Sequence, residues 1–227
     1  MRMRKKKNLE PRLQAVSDYL IPAESEDLNY STAADTKEYL SYRELFGNDH
    51  PVYLEIGCGK GQFINEMAKR HPENNYIAVE KTANVIVSAA EHAKADALPN
   101  LLFMKCGAEY LGRFLPPKSI EGLYLNFSCP FPKKSYANHR LTNHRFLSIY
   151  EDFLKDDAIL IQKTDNQAFF EWSIEEYSKH GWAMQNVSLD LHNSIYAEEN
   201  IVTEYESRFL AEGKRIYRLE AYPVKEG

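Results

Sequence analysis

The 227-residue chain holds only three cysteines, at 58, 106 and 129, and no Cys-x-x-Cys pair. So sparse and odd a set excludes a secreted disulfide framework and points to a reducing compartment. Ten glycines and ten prolines are scattered without period, which excludes collagen-like and low-complexity chains. No apolar run approaches the roughly 20 residues that a membrane helix needs. Five basic residues in Met1–Lys7 are followed by Asn8-Leu9-Glu10-Pro11 in place of the apolar core of an export signal. A soluble, cytoplasmic protein with no membrane attachment is expected. Basic excess is also lacking: 28 Lys and Arg stand against 33 Asp and Glu, for a net charge of −5. Bulk charge therefore does not coat nucleic acid, and no DNA partner is expected.

The charge that is present is unevenly placed. Without the first seven residues the balance falls to 23 basic against 33 acidic, yet Gly122 to Tyr150 contains no acid and carries Lys133, Lys134, Arg140 and Arg145. With 44% hydrophobic residues the chain can bury one sizeable core. Residues 1–50 read as an N-terminal extension, with a polar stretch around Ala23 to Asp35. Within it Tyr39, Leu40, Tyr42, Leu45 and Phe46 suggest a packed turn or helix. Residues 51–227 read as one domain.

In that domain short apolar runs alternate with segments of helical period. Strands are expected at Val52–Ile56, Tyr76–Glu80, Leu101–Lys105, Gly122–Asn126, Ala158–Lys163, Met184–Leu189 and Ile216–Tyr222. Helices are expected at Gln62–Arg70, Ala83–Ala95, Ala108–Phe114, Leu141–Leu154 and Gln167–His180. Such alternation predicts an α/β fold, a doubly wound, mostly parallel sheet of seven strands. The closing strand alternates Tyr217, Leu219 and Ala221 with Arg218 and Glu220, as a half-exposed antiparallel strand would.

The first strand runs into a glycine turn, Glu55-Ile56-Gly57-Cys58-Gly59-Lys60-Gly61, and then a helix. Glycines belong where the backbone reverses and a ligand comes close. A dinucleotide fingerprint would need Gly-x-Gly-x-x-Gly, but the third glycine falls at 61 and residue 62 is Gln. Glu80 closes the second strand, where an acid can accept two hydrogen bonds from a ribose diol. Together the two features predict a nucleoside-containing cofactor beyond the carboxyl ends of the strands.

Glu-x-Gly-x-Gly-x-Gly resembles the first motif of class I methyltransferases that use S-adenosylmethionine. After the fourth strand come Asn126-Phe127-Ser128-Cys129-Pro130-Phe131-Pro132-Lys133-Lys134 and then Arg140-Leu141-Thr142. Lys163-Thr164-Asp165-Asn166 and Thr203-Glu204-Tyr205-Glu206 follow. In this order the blocks resemble the bacterial tRNA (guanine-N(7)-)-methyltransferase family, from about Phe46-Gly47-Asn48 to the C-terminus. The resemblance implies a Rossmann-like methyltransferase that methylates N(7) of a guanosine in the variable loop of tRNA; monomer and homodimer are both left open. It implies S-adenosylmethionine held by Glu55, Gly57, Gly59, Gly61, Glu80, Gly107 and Cys129. Lys133, Asp165, Thr203, Glu204, Tyr205 and Glu206 would contact tRNA, with Asp165 and Cys129 as catalytic positions. The chain departs from the family pattern at Cys129, where an Asp is usual, and at Gly107, where Gly-Asp-Ala or similar gives way to Cys106-Gly107-Ala108. Another RNA, a small molecule, or tRNA binding without transfer remain alternatives.

Two local readings compete with these roles. Asp165 could cap the next helix, a duty that Asn166 could take instead. Thr203 and Glu206 have the spacing of a capping box. Cys58, Cys106 and Cys129 each follow a strand, so a redox-sensitive or metal-prone cluster is an alternative to small apolar filling. His139, His144 and His192 show no ligand spacing, and no metal is expected.

Overall fold

The computed structural model describes residues 7–23 and 36–224. Most of the polar stretch around Ala23 to Asp35, and the basic residues before Lys7, lie outside the described residues. The chain divides into two compact units, Met1–Pro116 and Pro117–Gly227.

The first unit contains α1 (Leu9–Ala15), β1 (Leu20–Ile21), α2 (Tyr42–Phe46), β2 (Val52–Ile56), α3 (Gln62–Arg70), β3 (Asn75–Val79), α4 (Ala83–Ala95), β4 (Leu101–Met104) and α5 (Leu111–Phe114). A 3₁₀ turn at Ala108–Tyr110 precedes α5, so the expected helix Ala108–Phe114 is split. The strands lie in the order β1-β4-β3-β2, all parallel. All five residues of β3 are buried, as a strand covered on both faces requires. Asn100 ties the α3 to β3 connection to the start of β4, donating to Ala68 O (3.0 Å) and Asn74 O (2.9 Å).

Part of the stretch expected to be a mere extension belongs to this core. Leu9, Val16 and Ile21 are buried, β1 pairs with β4, and Arg12 holds Glu91 of α4 by two bonds of 2.6 Å. The described residues therefore contain eight strands, against seven expected. A two-residue strand is too short to show a period of its own.

The second unit contains β5 (Ile120–Asn126), α6 (His144–Phe153), β6 (Leu154–Thr164), α7 (Gln167–Lys179), β7 (Trp182–Ser188), α8 (Glu204–Ala211) and β8 (Tyr217–Pro223). β5 and β6 run parallel, and β8 lies between β6 and β7, antiparallel to both. The C-terminal strand is thus antiparallel as expected, and it lies inside the sheet, with Leu219, Glu220 and Ala221 buried and its other four residues half-buried. Glu220 is buried because its carboxylate has partners: Arg218 at 2.5 Å, Asn186 at 2.7 Å and Gln185 at 3.1 Å. Burial works against its charge, and these bonds more than offset burial, holding the carboxyl below its ordinary range. No helix among the described residues is long and apolar enough to cross a membrane.

Candidate functional site

In the first unit, within or just beyond β2, β3 and β4, lie six of the seven expected cofactor residues, Glu55, Gly57, Gly59, Gly61, Glu80 and Gly107; the seventh, Cys129, lies in the second unit. The turn after β2 takes left-handed φ at Gly57 (81°), Gly59 (58°) and Gly61 (79°), a region costly to side-chain-bearing residues. Gly57 N and Cys58 N both donate to Val79 O, at 2.8 and 3.1 Å, which fixes the turn to the end of β3. Gly57 and Gly59 face open space. Gly61 instead marks a close approach of helices: a Cβ there would stand 2.7 Å from Ala89 Cβ and 2.6 Å from Asn65 Nδ2.

Glu55 is buried within β2, and Glu80 is half-buried just past β3, its Oε1 accepting from Thr82 N at 2.8 Å. Both acids act on the same thiol. Burial first, then the charges of Glu55 and Glu80, push Cys58 well above the ordinary thiol range. Two carboxylates focused on a glycine turn fit a ligand with a cationic or hydroxyl-rich surface, as a sulfonium nucleoside has. After β4, Gly107 lies beneath Glu109: a Cβ on residue 107 would fall 2.6 Å from Glu109 Oε2. Glu109 also meets Lys81 Nζ at 3.3 Å.

In the second unit β5 leads into a strained loop, with Phe127 at φ 53° and Phe131 at φ 40°. Phe127 N donates to Lys163 O (2.8 Å) and its ring packs on Phe209 at 5.8 Å, so the strain is held from both sides. Arg140 fixes the far end of the loop. Its Nε donates to Pro130 O (2.9 Å), its Nη2 to Phe131 O (3.0 Å), and its guanidinium stacks on Trp172 at 4.3 Å. Ser128 Oγ is buried with no hydrogen-bond partner among the described residues. Cys129, Lys133 and Lys134 are exposed.

β6 ends at Thr164, whose hydroxyl accepts from Asn166 N (3.1 Å), while Asn166 Oδ1 accepts from Phe169 N (2.8 Å) as the cap of α7. The cap falls to Asn166, and Asp165 is left facing Lys214 at 3.5 Å, partly exposed. The Thr203–Glu206 block divides in two. Thr203 and Glu206 close a capping box, and Glu206 is fully buried; Glu204 and Tyr205 point outward. Glu206 accepts from Lys163 (3.1 Å), Asn200 (2.6 Å) and Thr203 N (3.3 Å), and His192 Nε2 lies 2.8 Å away. A carboxylate so occupied positions the block from within, which spacing alone did not reveal because Lys163 is 43 residues distant.

Cys58 and Cys106 are buried, as small apolar filling requires, while Cys129 is exposed; among the described residues no cysteine belongs to a group of metal-type ligands. The sequence reading missed a different group, His144, Glu176 and His180. The four-residue step from Glu176 to His180 was the available signal.

A family model described as "Putative methyltransferase" matches residues 49–219. A tRNA (guanine-N(7)-)-methyltransferase of Geobacillus sp. (strain WCH70) is 45% identical over 99% of this chain and 97% of its own length. The enzyme of that name from Listeria monocytogenes serotype 4b (strain F2365) is 49% identical over 79% of this chain and 84% of its own. Among solved structures, an antibiotic-related methyltransferase superposes with a TM-score of 0.60 at 20% identity, covering 88% of this chain and 97% of the other. The fold is that of α/β methyltransferases, and the chain belongs to the tRNA (guanine-N(7)-)-methyltransferase family.

Proposed function

We propose that the protein transfers the methyl group of S-adenosylmethionine to N(7) of a guanosine in the variable loop of tRNA. The observation that carries this reading is the 45% identity, along essentially the whole chain, to a relative named for this reaction. The geometry of each unit supports it. Glu55, Gly57, Gly59, Gly61, Glu80 and Gly107, at the ends of β2, β3 and β4, bind the cofactor, with Glu80 on the ribose diol. Lys133 meets phosphate, Asp165 accepts from the Watson–Crick donors of guanine, and Glu204 and Tyr205 extend the acceptor surface. Thr203 and Glu206 hold that surface in shape.

The chemistry asks little of the protein beyond placement. Guanine N(7) carries an in-plane lone pair, so it attacks the methyl carbon without prior loss of a proton. The N–C bond forms as the C–S bond breaks, its electron pair returns to sulfur, and the positive charge passes from sulfonium to base. Catalysis is then alignment and suitably placed dipoles. Cys129 stands at the catalytic loop where relatives usually have Asp, and a reaction that needs no general base tolerates a thiol there. Arg140 acts as a positioning residue for that loop.

The test is methyl transfer from labelled S-adenosylmethionine to an unmodified tRNA transcript, beside one whose variable-loop guanosine is adenosine. Label recovered as 7-methylguanosine from the first alone is expected. Label at another position, or cofactor binding with no label in either, would overturn the reading in favour of another acceptor or a binding protein.

A further inference from the structure

His144 is the first residue of α6, and Glu176 and His180 lie one turn apart at the C-terminal end of α7. Their ligand atoms converge. His144 Nδ1 is 3.6 Å and His180 Nε2 is 4.0 Å from the same oxygen, Glu176 Oε2, and all three atoms lie within 4.8 Å of one another. The two imidazoles stack at 4.8 Å between centroids, 26° apart in plane. A cation with bonds of about 2.0–2.1 Å to nitrogen and oxygen in a tetrahedron needs ligand atoms roughly 3.3 Å apart. Each imidazole lone pair lies in its ring plane, so the two stacked rings must unstack and turn about χ1 and χ2 to aim a nitrogen each at one ion, which their exposure permits, while the carboxylate is already oriented by a bond of 3.3 Å from His144 N.

We propose that His144, Glu176 and His180 bind a zinc-class divalent cation, with water as the fourth ligand on the exposed side. Two neutral imidazoles and one carboxylate are a donor set suited to zinc. Glu176 supplies the charge at a residue only 9% exposed, and the histidines leave one side open. The opposing charge is Arg140, whose guanidinium lies within electrostatic reach of Glu176; its hydrogen bonds to Pro130 O and Phe131 O and its stacking on Trp172 direct it to the loop instead. On α7 itself Lys179 pairs with Glu175 at 3.2 Å. The consequence is structural. Thr142 Oγ1 meets Ser173 Oγ of α7 at 2.8 Å and Arg140 stacks on Trp172 of the same helix, so a cation joining α6 to α7 would clamp both ends of the segment that fixes the Pro130–Phe131 loop. The proposal does not depend on which substrate is methylated.

The experiment titrates zinc into the full chain after chelator dialysis, by calorimetry and by thermal unfolding, alongside His144→Ala, His180→Ala and Cys129→Ser. One equivalent per chain is expected, with a higher Tm in zinc. His180→Ala and His144→Ala change exposed side chains, so both should fold, lose affinity at least about tenfold and lose the Tm shift. Cys129→Ser should keep both, since its thiol is the exposed competitor for zinc. No saturable binding, binding unchanged in the two histidine variants, or binding abolished in Cys129→Ser would overturn the proposal.

Discussion

Glu109 occupies the space that a side chain on Gly107 would need, its Oε2 lying 2.6 Å from where a Cβ would stand and its Cδ only 2.7 Å. The acid that relatives usually carry at this point is absent, but a carboxylate is present two residues on. Placing Asp at 107 would set two like charges side by side, but the crowding atoms are the far end of a flexible, partly exposed Glu109 side chain that can swing away, so Gly107→Asp should destabilise by no more than about 1 kcal/mol while weakening cofactor binding. Adding Glu109→Ala should recover most of the loss. Thermal unfolding and calorimetry with S-adenosylmethionine measure both. Simple additivity of the two changes would show that the side chains do not share the space.

The buried pair of Lys163 and Glu206, 4% and 0% exposed, gives a second expectation. Glu206→Gln leaves the Lys163 ammonium buried without its counter-charge, which costs on the order of 3–5 kcal/mol. Stability should fall in free protein, before any tRNA is added. Tyr205→Ala, on the exposed side of the same block, should leave denaturant unfolding unchanged and weaken tRNA binding alone. Equal stability of Glu206→Gln and the parent would return Glu206 to the substrate-contacting role first expected of it.

These contrasts mark what a single sequence can disclose. The glycine turn and Glu80 were legible because strand, turn and acid are each written within a few adjacent residues. Asn166 as the cap was legible for the same reason, and it leaves Asp165 for other work. Glu206 was half legible: its capping box is local, but its burial depends on Lys163, Asn200 and His192. His144 meets Glu176 only because α6 and α7 pack, 32 residues apart in sequence. β8 alternates like a half-exposed strand, yet it pairs with β6 on one side and β7 on the other, and its Glu220 is buried because Arg218, Asn186 and Gln185 satisfy it.

Thiol chemistry should follow burial and charge. With Cys58 and Cys106 buried and Cys129 exposed, a disulfide reagent at pH 8 should label one thiol quickly and the other two only on unfolding. Cys58 also sets a sign for alkaline stability. Its folded pKa lies above the ordinary value of 9.0, so its contribution is intact below that value and is lost as pH rises from there toward the folded pKa. Cys58→Ala should therefore lose stability less steeply than the parent as pH rises above 9.0, as denaturant titrations at successive pH values would reveal. Rapid labelling of two thiols in folded protein would contradict the assignment.

Arg140 makes the sharpest separation of placement from binding. Its guanidinium spans two carbonyls of the strained loop and stacks on Trp172, a planar fork that a lysine cannot reproduce. Arg140→Lys should then keep S-adenosylmethionine affinity within about twofold and lower kcat for methyl transfer by roughly tenfold to a hundredfold, the range expected when a reacting geometry slips by a fraction of an ångström. Trp172→Leu, which removes the stacking face but leaves both carbonyl bonds, should fall between the parent and Arg140→Lys. If Arg140 instead bound tRNA phosphate, Arg140→Lys would preserve the charge and kcat, and the loss would appear as a higher KM that grows with salt. Steady-state kinetics at two salt concentrations therefore distinguish a residue that shapes the loop from one that touches the substrate.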